Sequence, residues 1–302
     1  MRSFQEAGIL PFVALTTMAL LFGLSFVVTK FALCSLPPFT LIFLRFSIAS
    51  IVLGAIYVKK RRARLRKEDR WRISLASLIV PGLYFLFETY GLKLSSATSV
   101  SLLISTIPIF SSLFAFFLLK ERIGIWRWMA ILFSIAGVGI ILSAGGGDRE
   151  AWKMGQVGDL LGLGAAGCAG LYIALGRDLM RRYSPLTLTT FQAFFAVAVF
   201  LPLAGMELFT HHWQDIRPLI FLAVFYLALF CSVLAFFLWN YGISRLEASK
   251  AAVFTNLVPV FTVIGASFFL GERIQEAQVI GGALVIGGVT LASFTKGNKA
   301  RT

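Results

Sequence analysis

The chain has 302 residues, 58% of them hydrophobic and 14% charged, and 28 Lys and Arg against 14 Asp and Glu give a formal net charge of +14. Soluble domains carry about a quarter charged residues, so this balance, with a mean hydropathy of +0.84, excludes an ordinary water-soluble fold. The apolar residues fall in stretches of about 20, and at about 1.5 Å per residue each crosses a hydrocarbon core of roughly 30 Å. Strand-like alternation of the kind a transmembrane barrel needs is missing.

The first span, 11–33, is too long for a signal-peptide core and lacks a small-residue cleavage site, so it counts as a membrane helix. The second, 38–58, carries Arg45. After it comes "KKRRARLRKEDRWR" (59–72), with nine of the 28 Lys and Arg. No RNA-binding fold or aromatic-interleaved basic sheet accompanies it, so it reads as a topogenic cytoplasmic loop facing anionic lipid, and no nucleic-acid partner is expected. The third span, 73–94, holds Tyr84, Phe87, Glu88 and Tyr90. The fourth, 97–119, holds Ser105, Thr106 and Pro108, and the fifth, 124–143, holds Gly137 and Gly139. Then comes the one clear linker, "AGGGDREAWKMGQ" (144–156). No Gly-Lys-Ser/Thr follows its glycines, so it is no phosphate loop, and nothing here could hydrolyse ATP.

The second set of spans is 158–179, 185–205, 218–243, 248–270 and 276–294. The eighth span carries Trp239 and Asn240, the ninth Thr255, Asn256 and Pro259, and the tenth "GGALVIGG" (281–288), whose small residues suit close helix packing. Cys34, Cys168 and Cys231 have no paired spacing and read as inert core thiols. His211 and His212 stand alone, short of the three or four ligands a metal needs, so neither metal nor cofactor is expected.

The two sets repeat one another. At an offset of 151, Tyr90-Gly91 matches Tyr241-Gly242, Pro108 matches Pro259, and Glu121-Arg122-Ile123 matches Glu272-Arg273-Ile274. Earlier in the halves the offset is 147, pairing Lys30 with Arg177 and Pro38 with Pro185. Five spans per copy is an odd number, so the second copy enters the membrane upside down. The expectation is an all-α membrane protein of ten transmembrane helices in two inverted five-helix repeats, 11–143 and 157–294, joined by 144–156 and closed by a tail, 295–302. With both termini cytoplasmic, 21 Lys and Arg fall inside and six outside, a strong positive-inside bias.

The stretches "LLFGLSFVVTKFAL" (20–33) and "PPFTLIFLRF" (37–46), with the doubled Tyr-Gly, Pro and Glu-Arg block, resemble the EamA-like branch of the drug/metabolite transporter superfamily. The resemblance runs from about 12 to 294; Phe22 stands where the family often has Trp before the glycine. It implies a ten-helix monomer in the bacterial inner membrane, acting as a secondary transporter with a central cavity between its halves.

Within that frame the ionisable groups inside spans are few. Arg45 lies about 10 Å below the outer end of its span, and Glu88 about 22 Å above the inner end of its own, so both sit in the outer half. Facing lipid, either would cost at least about 2.5–3.5 kcal/mol, so each should face a cavity or a partner. Two readings stand. In one, the pair staples the outer half by bonding to each other or to backbone carbonyls. In the other, both line the pathway: Arg45 draws a carboxylate, while Glu88 draws an ammonium or serves as the proton-coupling site. Pro108 and Pro259 reach the midplane in matching positions, with Ser105, Thr106, Thr255 and Asn256 beside them. They are either ordinary kinks bridged by hydroxyls or markers of a substrate site. Tyr84, Trp239 and Asn240 complete the candidate set. Glu121-Arg122 and Glu272-Arg273 read as interfacial ion pairs fixing helix ends.

The function expected is export of a small-molecule metabolite, an amino acid or an amphipathic compound. Uptake or exchange of a sugar-like or phosphorylated metabolite is the alternative within transport, and a sensor or scaffold the one outside it. An intramembrane enzyme is not expected, since no His or Asp lies deep in any span.

Overall fold

A computed structural model describes residues 9–60, 65–120, 124–143, 149–210, 217–245 and 254–294. The two histidines, Glu121-Arg122, the glycine run 145–147 and the tail 295–302 lie outside the described residues. Among the described residues helices are the regular structure, joined by short turns, with no strand. They hold eight helices long and apolar enough to cross a membrane and two shorter apolar ones, Leu257–Phe269 and Glu276–Leu291.

The elements in chain order are α1 (Leu10–Ala32), α2 (Pro38–Lys59), α3 (Arg70–Ser77), a wide turn (Leu78–Leu83), α4 (Tyr84–Leu94), α5 (Ala97–Ile104), α6 (Ile107–Leu119) and α7 (Ile125–Ser143). There follow α8 (Arg149–Arg182), α9 (Pro185–Thr210), α10 (Pro218–Phe225), a second wide turn (Tyr226–Leu234), α11 (Ala235–Arg245), α12 (Leu257–Phe269) and α13 (Glu276–Phe294). Proline begins α2, α9 and α10, where its missing amide costs nothing and its fixed φ suits the first turn.

Three features depart from the hydropathy pattern. The third span is broken: Val80 leaves the helical region at φ −136°, ψ 115°, just before Pro81. The fourth span is also two helices, because α5 stops at Ile104 and Pro108 opens α6 instead of kinking a continuous rod. Finally, α8 starts at Arg149, inside the predicted linker. Glu150, Ala151, Lys153, Met154 and Gln156 are good helix formers, and their polarity hid them from a hydropathy reading.

Packing follows small residues at helical spacing. Ile42, Phe46, Ala49 and Leu53 form one buried stripe of α2, and Leu186, Ala193, Ala196 and Phe200 form the facing stripe of α9. Ala130, Ile131 and Ile141 of α7 pack on Val285 and Val289 of α13 in the same way. Helix α8 lies against α4, α5 and α6, and α1 lies between α11 and α12. One end of the bundle gathers the turns at 33–37, 95–96 and 270–275 and the end of α9, and is called here the Ser95 end. The other carries Asp69 and Tyr183, whose hydroxyl donates to Asp69 Oδ2 at 2.6 Å, and is called the Asp69 end.

Candidate functional site

The wide turns bring Arg45 and Glu88 into one neighbourhood. Arg45 projects from α2 and is 7% exposed, and Glu88 projects from α4 and is 6% exposed. Arg45 Nε donates to Ser232 Oγ at 2.9 Å, and Ser232 Oγ in turn donates to Leu227 O at 3.0 Å across the second wide turn. The guanidinium carbon lies 4.6 Å from the Phe85 ring centroid, within cation–π range. Phe46 packs edge-on to Phe85 at 4.9 Å, and so does Tyr84 at 5.0 Å. Tyr84 stands one turn before Glu88, and its hydroxyl donates weakly to Glu88 Oε1 at 3.4 Å.

The second carboxylate oxygen, Glu88 Oε2, is buried with no hydrogen-bond partner. No Arg45–Glu88 ion pair forms within 4.0 Å, so the staple made by direct pairing is absent. A buried polar atom without its full set of partners is costly, and Glu88 Oε2 is such an atom. Among the candidate residues, Arg45, Glu88 and Tyr84 are the ones the fold gathers.

The midplane set is not gathered with them. Ser105 Oγ donates to Leu102 O and Thr106 Oγ1 to Leu103 O, both at 2.6 Å, so these hydroxyls bridge their own helix break. Pro108 sits in the first turn of α6. Asn256 is buried and donates through Nδ2 to Thr290 Oγ1 of α13 at 2.9 Å. Thr255 is half-buried just before α12, and Pro259 is buried within it. Trp239 packs on Leu15, Met18 and Leu21 of α1. The side chain of Asn240 lies outside the described residues.

A second polar group occupies the Ser95 end. Lys30 Nζ donates to Leu92 O at 2.9 Å and also to Ser95 O, satisfying carbonyls at the end of α4. Ser95 Oγ donates to Asp159, a buried carboxylate of α8. Gln278 Nε2 donates to Ser96 Oγ at 3.2 Å and Ser99 Oγ at 2.8 Å. Glu272 does not pair with Arg273 as expected. Its carboxylate accepts from Ala97 N at 2.7 Å, Thr98 N at 3.1 Å and Thr98 Oγ1 at 2.9 Å, because the positive end of α5 is the stronger attraction there.

A matching arrangement joins α9 to α2. Glu207 accepts from Phe39 N at 3.1 Å, Thr40 N at 2.7 Å and Thr40 Oγ1 at 3.0 Å. Sequence reasoning missed Glu207, Asp159, Ser232 and Phe85. The first lies beyond the apolar run of its span, and the others meet Arg45 or Ser95 through contacts dozens of residues away in sequence. Among the described residues, no group of three or more His, Cys, Asp or Glu could hold a metal ion.

Comparison with known proteins shows the family. The model of the EamA-like transporter family matches residues 10–143 and again 156–294. YetK, an uncharacterized transporter of Bacillus subtilis (strain 168), is 31% identical over 94% of this chain and 87% of its own length. An uncharacterized transporter of Archaeoglobus fulgidus is 31% identical over 89% of this chain and 92% of its own. A protein of Streptantibioticus cattleyicolor, named a probable terminal-alkyne amino-acid exporter, is 29% identical over 82% of this chain and 81% of its own. A solved crystal structure, 22% identical, shares the fold with a TM-score of 0.65 over 96% of this chain and 97% of that one. With buried charges held between apolar helices and relatives that are transporters along nearly its whole length, this multi-pass membrane chain belongs to the EamA-like transporter family.

Proposed function

We propose that the protein is a secondary active exporter of zwitterionic amino acids. The observation that carries this reading is the pair of buried opposite charges left without a direct ion pair, with Glu88 Oε2 unpartnered. A substrate carboxylate meets the Arg45 guanidinium, whose Nε is anchored by Ser232, and a substrate ammonium meets Glu88. Glu88 is also the group that couples flux to protons. Tyr84 and Phe85 form the aromatic wall. The amino-acid class is further supported by the printed name of the Streptantibioticus cattleyicolor relative.

The chain works as a monomer of ten transmembrane helices in two inverted halves, 11–143 and 157–294, with both termini in the cytoplasm of a bacterial inner membrane. Supporting the two-half reading, the family model matches each half separately, and the wide turns at 78–83 and 226–234 stand close to the repeat offset of 151. Two similar halves of opposite sense give two packings of nearly equal energy, which alternating access requires. In this orientation the Ser95 end faces out and the Asp69 end faces the cytosol.

The test is counterflow in proteoliposomes, comparing an amino acid with its methyl ester, which lacks the carboxylate, and its N-acetyl derivative, which lacks the ammonium. The intact zwitterion should move and the two derivatives should not. Glu88→Gln should abolish the response to a pH gradient. Equal transport of all three compounds, or an unchanged pH response in Glu88→Gln, would overturn the proposal.

A further inference from the structure

Both carboxylate caps at the Ser95 end cross between the proposed halves: Glu207 of α9 holds the start of α2, and Glu272 after α12 holds the start of α5. The repeat gives them different counterparts. At the offset of 151, Glu272 corresponds to Glu121, another glutamate, so the sequence provides that element to both copies. At the offset of 147, Pro38–Thr40 correspond to Pro185–Thr187, but Glu207 corresponds to Lys60.

A lysine cannot accept a hydrogen bond from an amide, and its charge opposes the positive end of a helix. At the Asp69 end, Lys60 Nζ instead lies 6.0 Å from the Phe237 ring, and the first turn of α9 is met locally by Ser184 Oγ, which accepts from Thr187 N at 3.3 Å. Glu207 also gains nothing from its own helix. It stands in the last turn of α9, where negative charge opposes the helix dipole. Its favourable interactions are those with α2.

We propose that Glu207 is an unmatched latch between α2 and α9, which makes the state closed at the Ser95 end the resting one and leaves cargo to be loaded from the Asp69 end. Opening the Ser95 end separates the two halves and breaks three charge-assisted hydrogen bonds, for which the repeat-related position at the opposite end, Lys60, supplies no acceptor. The latch rests on the two-half transport reading, but not on the identity of the cargo.

The test uses a chain whose cysteines are replaced and which carries Leu203→Cys, half-buried in the α2–α9 seam one turn from Glu207. A membrane-impermeant maleimide is applied from the Ser95 side without any substrate. Glu207→Ala should raise the labelling rate about tenfold. Lys60→Glu removes the contact with Phe237 but keeps every contact of Glu207, and by the repeat it should place a carboxylate at the start of α9. It should also raise labelling, and the swap Glu207→Lys with Lys60→Glu should raise it further. Labelling within about twofold of the parent in both single variants would sink the latch. Labelling that moves as expected while no amino acid is carried would support the latch and reject the proposed cargo. Unmoved labelling with normal amino-acid counterflow would do the reverse.

Discussion

Gly137 and Gly139 are two residues apart on α7 and face opposite surroundings, so one substitution made at each separates packing from helix propensity. A Cβ on Gly137 would lie 2.5 Å from Gly281 O and 2.9 Å from both Val285 N and Val285 Cγ2 on α13, whereas one on Gly139 meets nothing within 4 Å. A carbon and a carbonyl oxygen approach comfortably to about 3.3 Å, so Gly137→Ala requires α7 and α13 to part by about 0.8 Å. A gap of that size forfeits roughly a quarter to a half of each dispersion contact along the seam, and overpacking of this kind costs about 1–3 kcal/mol. Alanine returns about 0.8–1 kcal/mol of helix propensity at either position. The expected outcome is that Gly137→Ala is the less stable of the two by about 2 kcal/mol, with Gly139→Ala neutral or slightly stabilised. Reversible unfolding in mixed micelles measures the difference. Equal stability of the two variants, or a more stable Gly137→Ala, would show that α7 and α13 do not meet as described.

Two further outcomes follow from side-chain geometry. Tyr183 lies outside the membrane spans, and donation to Asp69 holds its phenol pKa above the ordinary value. Tyr183→Phe should therefore cost about 1 kcal/mol at neutral pH. Because the folded-state pKa is the higher one, that contribution is complete below about pH 10 and fades as pH rises through the folded-state value; a wild-type advantage that grew above pH 10 would contradict the assignment. Arg45→Lys keeps the charge but loses both the Nε donor to Ser232 and the planar face over Phe85. Transport efficiency in liposomes should fall at least about tenfold with the protein still folded, and unaltered kinetics would show that charge alone suffices.

Much of the fold could be read from apolar runs because a bilayer imposes a fixed length on whatever crosses it. Arg45 and Glu88 were legible for the same reason: a charge within oil needs a purpose, and depth alone placed them at one level. Their true partners were not legible. Ser232 is an ordinary hydroxyl in an apolar stretch, and it reaches Arg45 through a wide turn that leaves hydropathy unchanged. The glutamate after α12 looked like half of an ion pair because Arg273 adjoins it in sequence; the amides it meets lie 174 and 175 residues away. Ser105 and Thr106 had two readings in the sequence. Their position beside a midplane proline suited either a binding surface or hydroxyls bridging a kink, and both hydroxyls donate to carbonyls of their own helix.

The wide turns at 78–83 and 226–234 each interrupt the regular ladder of a membrane-crossing segment. Gln192 Nε2 donates to Val80 O at 3.0 Å, just as the Ser232 hydroxyl reaches Leu227 O, so a side chain supports the backbone at each break. A continuous helix transmits tilt along its whole length, but a rod with one slack rung can swing its far portion separately. Beyond the first slack rung the lever carries Tyr84 and Glu88; beyond the second it carries Trp239. Small rotations at two pivots can therefore redirect the acidic side chain and the indole without bending the first portion of either segment.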